Sequence, residues 1–444
     1  MNRSLRRLSL AACLGCLPVV CTPATFYVAP PPQGDDAHPG TDAQPFARIQ
    51  RGIDAAQTGD TVVLEQGTYL ETVRFRGKDL VLRSTDPFDP TVVSRTVVDG
   101  NGARLVVVFD GIETAACVIE GLTLTRGSLI GSDALGAGIS GGTAHQRTRA
   151  TLRNNRILAN LEVGIAYCDG LIEGNTISDN TSWRSAGGLA YCNAWIGFNL
   201  IVGNRSRCDG GGGLAGCGGS MVGNLIVANI TDGSGGGLSD CDGLLQNNTV
   251  ADNRANGPSG GGMVQCSGPI ENGIVWSNAP QGGPQLVECS VPTYSCIQNW
   301  TEGGQGNITA DPLFANGLGG DYRLLPGSPC VDAGEPGGLW LPERDLAGTH
   351  RVLYGGRRFA VDMGAYEFSI ARCEVAADRR YATLTWSSRN GAYYSISWST
   401  DLETWYSAAA VRSTSDLTTT WIDDGSMTGG SPATVPWRFY RITK

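Results

Sequence analysis

The sequence has few charged residues, almost no lysine and little histidine. Charged residues make up 17% of the 444 residues, and Lys78 and Lys444 are the two lysines among 33 basic residues. The net charge is −9, and no basic cluster follows the N-terminal arginines. Nucleic acids and anionic membranes bind basic surfaces, so this composition argues against both as partners. Beyond the N-terminus no apolar run approaches the roughly 18 residues of a membrane-spanning helix, so no transmembrane segment is predicted.

The N-terminus has the pattern of a secretory signal. Three arginines between positions 3 and 7 precede the apolar run Leu8 to Val20, and small residues follow, which predicts a signal peptide over residues 1–24. A lipoprotein signal ending at Cys13 is the alternative, although little apolar sequence precedes that cysteine. The expected location is therefore secreted or at the cell surface, where disulfides form. Removing three of the 14 cysteines with the signal leaves an odd number, so not all can pair within the chain.

An internal repeat of about 24 residues follows a regular series of cysteines. Apolar residues stand three residues before, four after and nine after each of the first five cysteines, in short runs rich in β-branched residues. Such runs predict coils of three short strands, stacked as a right-handed parallel β-helix of the all-β class. Since no histidine lies in the repeat, the cysteine column is interpreted as buried packing rather than a metal site. The cysteines are Cys168, Cys192, Cys217, Cys241, Cys266 and Cys289.

Two columns of asparagine mark turns within each coil. Asparagine tolerates the left-handed backbone conformation, so both columns are expected to adopt it and to hydrogen-bond from coil to coil. A Gly-Gly pair ends the third, variable turn. The glycine-rich acidic loops allow calcium, although they lack a nine-residue calcium repeat, and no other cofactor is expected. The columns are Asn175, Asn199, Asn224 and Asn248, then Asn180, Asn204, Asn229, Asn253 and Asn278.

The repeat resembles the right-handed β-helix proteins of the pectate-lyase-like superfamily over residues 25–310. That resemblance implies an N-terminal cap with a short helix at about Phe46 to Ala56. Residues 311–368, with ADPLFANGLGGDYRLLPGSPCVDAGEP and VDMGAYEF, are similar to the choice-of-anchor Q domain of exported bacterial proteins. Residues 369–444 alternate polar and apolar positions, as in YYSISWST, and predict a small antiparallel β-sandwich.

Candidate site residues flank the cysteine column on what is expected to be an outward strand face. Lyases of the superfamily use calcium bound by acidic residues and an Arg or Lys base, and its hydrolases use closely spaced aspartates. Arg184, Arg205, Arg207 and Arg254 are expected in loops, so a lyase base is missing from the regular coils. The catalytic candidates are Asp240, Asp242 and Glu288, and the substrate-binding candidates are Tyr167, Tyr191, Asp169 and Gln265.

The sequence therefore favours an exported, monomeric β-solenoid that binds an extended polysaccharide or cell-surface glycan along its face. A polysaccharide lyase or glycoside hydrolase using the same face is the first alternative. A structural, adhesin-like surface protein is the second.

Overall fold

The structure is a computed structural model, and residues 1–21 of the predicted signal peptide, Cys13 among them, lie outside its described residues. The described residues are 22–443 without 130–133, 258–259, 280–282, 326, 336–340, 350, 352, 355–358, 369–371, 377–379, 388–390, 392, 415–417 and 435–437.

Three long parallel sheets run the length of a solenoid, which confirms the predicted parallel β-helix. Sheet A comprises Thr25–Val28, Thr61–Leu64, Val81–Ser84, Val118–Glu120, Thr151–Arg153, Leu171–Glu173, Trp195–Gly197, Met221–Val222, Leu245–Gln246 and Ile270–Glu271. Sheet B comprises Val73–Arg74, Val107–Val108, Gly136–Ser140, Val163–Ala166, Leu189–Ala190, Leu214–Ala215, Leu238–Ser239, Met263–Val264 and Leu286–Val287. Sheet C comprises Gly67–Tyr69, Thr96–Asp99, Thr123–Thr125, Arg156–Leu158, Thr176–Ser178, Leu200–Val202, Leu225–Val227, Thr249–Ala251, Ile274–Trp276 and Cys296–Ile297.

A fourth, short sheet was not predicted. Sheet D forms where four successive coils extend after sheet C, and it comprises Thr181–Ser182, Arg205–Ser206, Ile230–Thr231 and Arg254–Ala255. Arg205 and Arg254 therefore begin strands, and their assignment to loops was wrong. Arg205 Nη2 donates to Asp232 Oδ1 of the next coil at 2.9 Å, so the Arg205 guanidinium forms an ion pair that links two successive coils.

The apolar columns of the repeat form one continuous core. In-register pairing places Ile196 beside Ile172 and Met221, and all three side chains are fully buried. The cysteine column lies in the same core. At one end, the helix Ile49–Ala55 packs Ile49 and Ile53 into the core, within the predicted cap.

Asparagine ladders stabilise two corners of each coil, as predicted. Asn204 donates from Nδ2 to Ile177 O and to Asn229 Oδ1, at 2.8 and 3.0 Å, and accepts from Asn180 Nδ2 at 2.9 Å. The expectation of left-handed asparagines was wrong, because the residue before each ladder position takes that conformation. Phe198 and Gly203, with φ of 53° and 67°, are examples. The asparagine side chain is thereby turned inward, where it satisfies backbone groups of the bend.

Part of the segment 311–368 packs on the outer face of sheet C. The hairpin of Phe314–Asn316 and Asp321–Leu324 places Tyr322 against Leu225 and Val227. Tyr322 also donates its hydroxyl to Asp252 at 2.7 Å. A further hairpin comprises Leu353–Tyr354 and Phe359–Ala360, a short helix spans Pro90–Arg95, and single helical turns span Gly317–Gly319 and Pro432–Thr434.

Buried charges hold the end of this segment together. The Arg351 guanidinium donates to Glu367 at 3.2 Å and to the carbonyl oxygens of Gly364 and Ala365, at 3.1 Å each. Asp362 accepts from the backbone N–H groups of Asp332 and Phe368. Burial raises the pKa of Asp362 to about 7 and also raises that of Glu367.

The C-terminal residues form two three-stranded antiparallel sheets around a shared core, as predicted. Trp386 and Ile396 are buried at its centre, and Trp398 and Trp421 pack at its edge. One sheet comprises Arg372–Val375, Ala382–Ser387 and Thr418–Asp423, and the other comprises Tyr406–Arg412, Tyr393–Ser399 and Phe439–Thr443.

Replacing a ladder asparagine is expected to destabilise the solenoid strongly. Asn204→Ala removes the acceptor of the Asn180 N–H and of one Asn180 Nδ2 hydrogen, and it removes the side-chain donor to Ile177 O. In a dry interior these losses should cost roughly 3 kcal/mol of unfolding free energy. Urea unfolding measures the effect. Asn256→Ala is the control, because exposed Asn256 makes one side-chain bond to Asp232 and should change stability by less than about 1 kcal/mol. Equal effects would refute the role of the ladder.

Stability is expected to fall between pH 4 and pH 7 through Asp362. Its folded pKa of about 7 exceeds the ordinary 3.8, so its contribution is complete below pH 3.8 and is lost as pH rises through 7. The full effect is about 4 kcal/mol. Asp362→Asn should flatten this slope in unfolding measured across pH. Exposed Asp401, whose pKa is lowered to about 2 by backbone N–H donors, serves as control, and Asp401→Asn should leave the slope unchanged.

Candidate functional site

The residues before each cysteine lie at a corner of the solenoid between sheets B and A. Their φ angles fall between 51° and 62°, so each occupies a left-handed turn rather than a strand, and the expected outward strand face was wrong. This turn sends the side chain outward while the following cysteine points into the core. We call these residues the corner column, and they are Tyr167, Tyr191, Gly216, Asp240, Gln265 and Glu288.

Two tyrosines of the corner column stack on each other. The rings of Tyr167 and Tyr191 lie 5.7 Å apart between centroids, at 18° between planes. The Tyr191 ring also lies over Gly216, where an added Cβ would come within 2.7 Å of it. The Arg147 guanidinium lies 5.5 Å from the Tyr167 centroid. Much of the ring surface is therefore used within the column, although 39% of Tyr191 stays exposed.

A loop brings Arg147 to the tyrosines. The turn at 143–146 is closed by a bond from Thr143 N to Gln146 O, and it delivers the arginine back to the corner. Its Nη1 donates to Tyr191 O at 2.9 Å and lies 3.5 Å from Asp169 Oδ1. Asp169 in turn accepts from the backbone N–H of Asn193 at 2.8 Å. Arg147 is therefore held by contacts to two successive coils.

An open polar pocket of about 570 Å³ lies beside this arginine. It carries two guanidinium groups and one carboxylate, so its charge balance is positive. Arg149 is exposed, and its guanidinium makes no hydrogen bond or ion pair within the described part of the chain. We call this the arginine pocket, and its lining is Gly111, Ala144, His145, Gln146, Arg147, Arg149, Asp169 and Asn193.

The basic residues of this pocket were not predicted as site residues. Arg147 and Arg149 belong to an irregular loop before the first repeat cysteine, and not to the regular coils. Two arginines and His145 within five positions were the available signal in a chain with three histidines.

The acidic candidates lie elsewhere along the solenoid. Asp240, Asp242 and Glu288 are exposed and do not line the arginine pocket. Hydrogen bonds from the Ser267 hydroxyl and N–H, at 2.7 and 3.1 Å, lower the pKa of Asp242, which opposes a role as general acid. Glu288 accepts from Gln265 Nε2 at 2.9 Å. Among the described residues, no three His, Cys, Asp or Glu side chains are grouped to hold a metal ion.

The stacked cysteines contribute packing. Cys192, Cys217 and Cys241 are fully buried, and the last two donate to carbonyl oxygens of Ala215 and Ser239 at 3.6 and 3.3 Å. Burial raises the pKa of Cys168 to about 12, which keeps that thiol protonated. The interpretation of this column as buried packing is confirmed.

Comparisons with known proteins do not place the chain in a family. No family model matches it. The uncharacterized protein YwoF of Bacillus subtilis (strain 168) is 28% identical over 127 residues, and the match covers 27% of this chain and 26% of that protein. The similarity to choice-of-anchor Q domains therefore stays a prediction.

Two solved structures share a loose overall likeness. The pectate lyase Pel9A superposes with a TM-score of 0.46 at 14% identity, over 79% of this chain and 97% of that one. A complex of XylC with xylose gives a TM-score of 0.41 at 10% identity, over 77% and 98%. Neither likeness carries a functional argument. No helix in the described ranges is long and apolar enough to cross a membrane.

A methyl group at Gly216 is expected to disturb the tyrosine stack. Gly216 has a φ of 62°, and an added Cβ would lie 2.7 Å from the Tyr191 ring. Gly216→Ala should therefore cost roughly 1–2 kcal/mol and displace Tyr191, as measured by urea unfolding and tyrosine fluorescence. Gly210→Ala is the matched control, since its nearest neighbours lie at 3.5 Å or more. An unchanged stability for Gly216→Ala would contradict this geometry.

Proposed function

We propose that this protein binds an acidic polysaccharide, with the sugar carboxylates held in the arginine pocket. The observation that carries the proposal is the exposed Arg149 guanidinium, which lacks a partner among the described residues and lines an open polar pocket. Guanidinium groups form paired hydrogen bonds with carboxylates. Arg147 is paired with Asp169 and forms a fixed part of the pocket lining. The Arg149 guanidinium is available to contact a ligand.

The corner column supports an extended ligand rather than a single sugar. Its members recur once per coil, at about 4.8 Å along the solenoid axis, and form a straight row next to the pocket. The side chains of the row change from aromatic to acidic along the solenoid, from the tyrosines beside the pocket to Asp240 and Glu288 in later coils. An acidic sugar unit fits the basic end, and hydroxyl-rich neutral units fit the Asp240 and Gln265 end.

Polysaccharide lyase activity is the second candidate. Lyases resembling this fold use an arginine or lysine as base, and Arg149 is a cation of that kind, projecting from a loop into a polar pocket. Asp169 is the one carboxylate in that lining, so calcium would need further oxygen ligands from the substrate. Secretion or display at the cell surface remains part of this proposal on the basis of the N-terminal sequence, and the monomeric state stays a prediction.

Substitution of Arg149 tests the proposal. Electrophoresis in gels containing polygalacturonate, alginate, xylan or galactan measures binding to acidic and neutral chains. Wild-type protein should be retarded by an acidic polymer, and Arg149→Gln should weaken that binding about tenfold, because one charge-assisted contact is lost. Arg254→Gln removes another exposed arginine, in sheet D, and should bind like wild type.

The same samples distinguish binding from catalysis. Unsaturated products absorbing in the ultraviolet, formed by wild type and lost in Arg149→Gln, would establish the lyase. New reducing ends lost on substitution of Asp240 or Glu288 would instead establish the hydrolase. Absence of retardation in every acidic polymer would overturn the proposal and leave the structural surface role.

A further inference from the structure

Two cysteines from separate parts of the chain meet behind the last coil. Cys296 begins the final strand of sheet C, and Cys330 follows the hairpin that packs outside this sheet. Both are fully buried, in one small cluster with Leu324 and Met363. The Cys296 thiol donates to Ala310 O at 3.2 Å and is close enough to the Cys330 thiol to perturb the pKa of Cys330. The backbone around Cys330 is fixed, since Met363 N donates to its carbonyl at 3.0 Å and its N–H donates to Ser328 Oγ at 3.1 Å.

The stacked cysteines of the repeat differ from this pair. They occupy equivalent positions on neighbouring parallel coils, so their Cα–Cβ bonds point the same way at a separation of about 4.8 Å. A disulfide needs Cβ atoms roughly 3.5–4.5 Å apart and a torsion near 90°, which parallel neighbours do not offer without moving the backbone. Cys296 and Cys330 instead belong to two segments that pack together and are not successive coils, so no parallel register fixes the relative direction of their Cα–Cβ bonds.

We propose that Cys296 and Cys330 form a disulfide bond that fastens the hairpin segment to the end of the solenoid. With a disulfide oxidant such as oxidised glutathione, one cysteine thiolate attacks the oxidant to give a mixed disulfide and releases one glutathione thiol. The second cysteine thiolate then attacks the mixed disulfide, forms the Cys296–Cys330 bond and releases the second glutathione. Two protein thiols lose two electrons and two protons, and one glutathione disulfide is reduced to two thiols.

The bond is expected to form during folding. In the folded chain, the hydrogen bond with Cys296 and burial together raise the pKa of Cys330 far above its ordinary value. A buried protonated thiol reacts slowly with oxidants, whereas the same thiol is accessible before the segment docks. Once formed, the bond closes a loop of about 35 residues, which restricts the unfolded chain. The hairpin Phe314–Leu324 lies within that loop.

The test refolds the full chain in a glutathione redox buffer, followed by alkylation under denaturing, non-reducing conditions and peptide mapping. We expect a crosslinked peptide pair that contains Cys296 and Cys330, with both sites protected from alkylation. Reductant should lower the melting temperature of the wild type by about 5 °C or more and should not change that of Cys330→Ser. Cys241→Ser, in the repeat column, should retain the crosslink.

Mapping of the wild type decides the proposal even if a variant fails to fold. Full alkylation of both cysteines after oxidative refolding would overturn it. A crosslink from either cysteine to another position would overturn it equally.

Discussion

Each bend of the solenoid buries backbone groups that no sheet can pair, and the structure depends on how these groups are satisfied. The asparagine ladders do this at two corners, because each side chain both donates to a carbonyl of the preceding coil and bonds to the next asparagine. A coil lacking its ladder residue would leave polar groups in a dry core. Because each asparagine must lie directly beside the asparagine of the next coil, the ladders determine the length of each coil. The coil length in turn determines the strand register in every sheet.

The left-handed residue before each inward-pointing position is the counterpart of this constraint. Its side chain points away from the core, so core packing does not restrict which residue type stands at this position. Contacts to residues outside the repeat are therefore made from these positions. One such column carries Tyr167 and Tyr191 beside the arginine pocket. A second carries Asn247 and Asn272, whose amides donate to Asp362 O and Glu335 O of the packed segment. A third carries Asp252, which accepts from Tyr322.

The periodic part of the fold was predictable because each coil repeats the same physical requirements. Equivalent apolar residues such as Ile172 and Ile196 identified the core, and Asn204 and its neighbours identified the bends. The sequence pattern did not distinguish the asparagine from the residue before it, so the corner geometry was misassigned. Sheet D was missed because two-residue strands such as Arg205–Ser206 carry no alternation of their own.

The candidate site was less predictable because it depends on an irregular loop meeting a regular corner. Arg147 reaches Asp169 and Tyr191 through a turn whose length no repeat specifies. The packing of Tyr322 on sheet C is also a long-range contact, between residues that share no period. The repeat pattern of the sequence predicts which residues share a column. It does not predict which residues from outside the repeat contact that column, because those contacts depend on tertiary packing.

The segment beyond the solenoid has no ladder, and its stabilising contacts are correspondingly different. Arg351 and Glu367 are buried together, and their charge pair is accompanied by Asp362 and Asp345, so negative groups outnumber the single cation. Such a cluster is stable when a carboxyl holds its proton, which the raised pKa of Asp362 and Glu367 indicates. The solenoid gains stability by repeating neutral hydrogen bonds, whereas this segment relies on a few protonation-dependent ones. It should therefore be the part whose attachment responds first to pH, while the stacked coils keep their register.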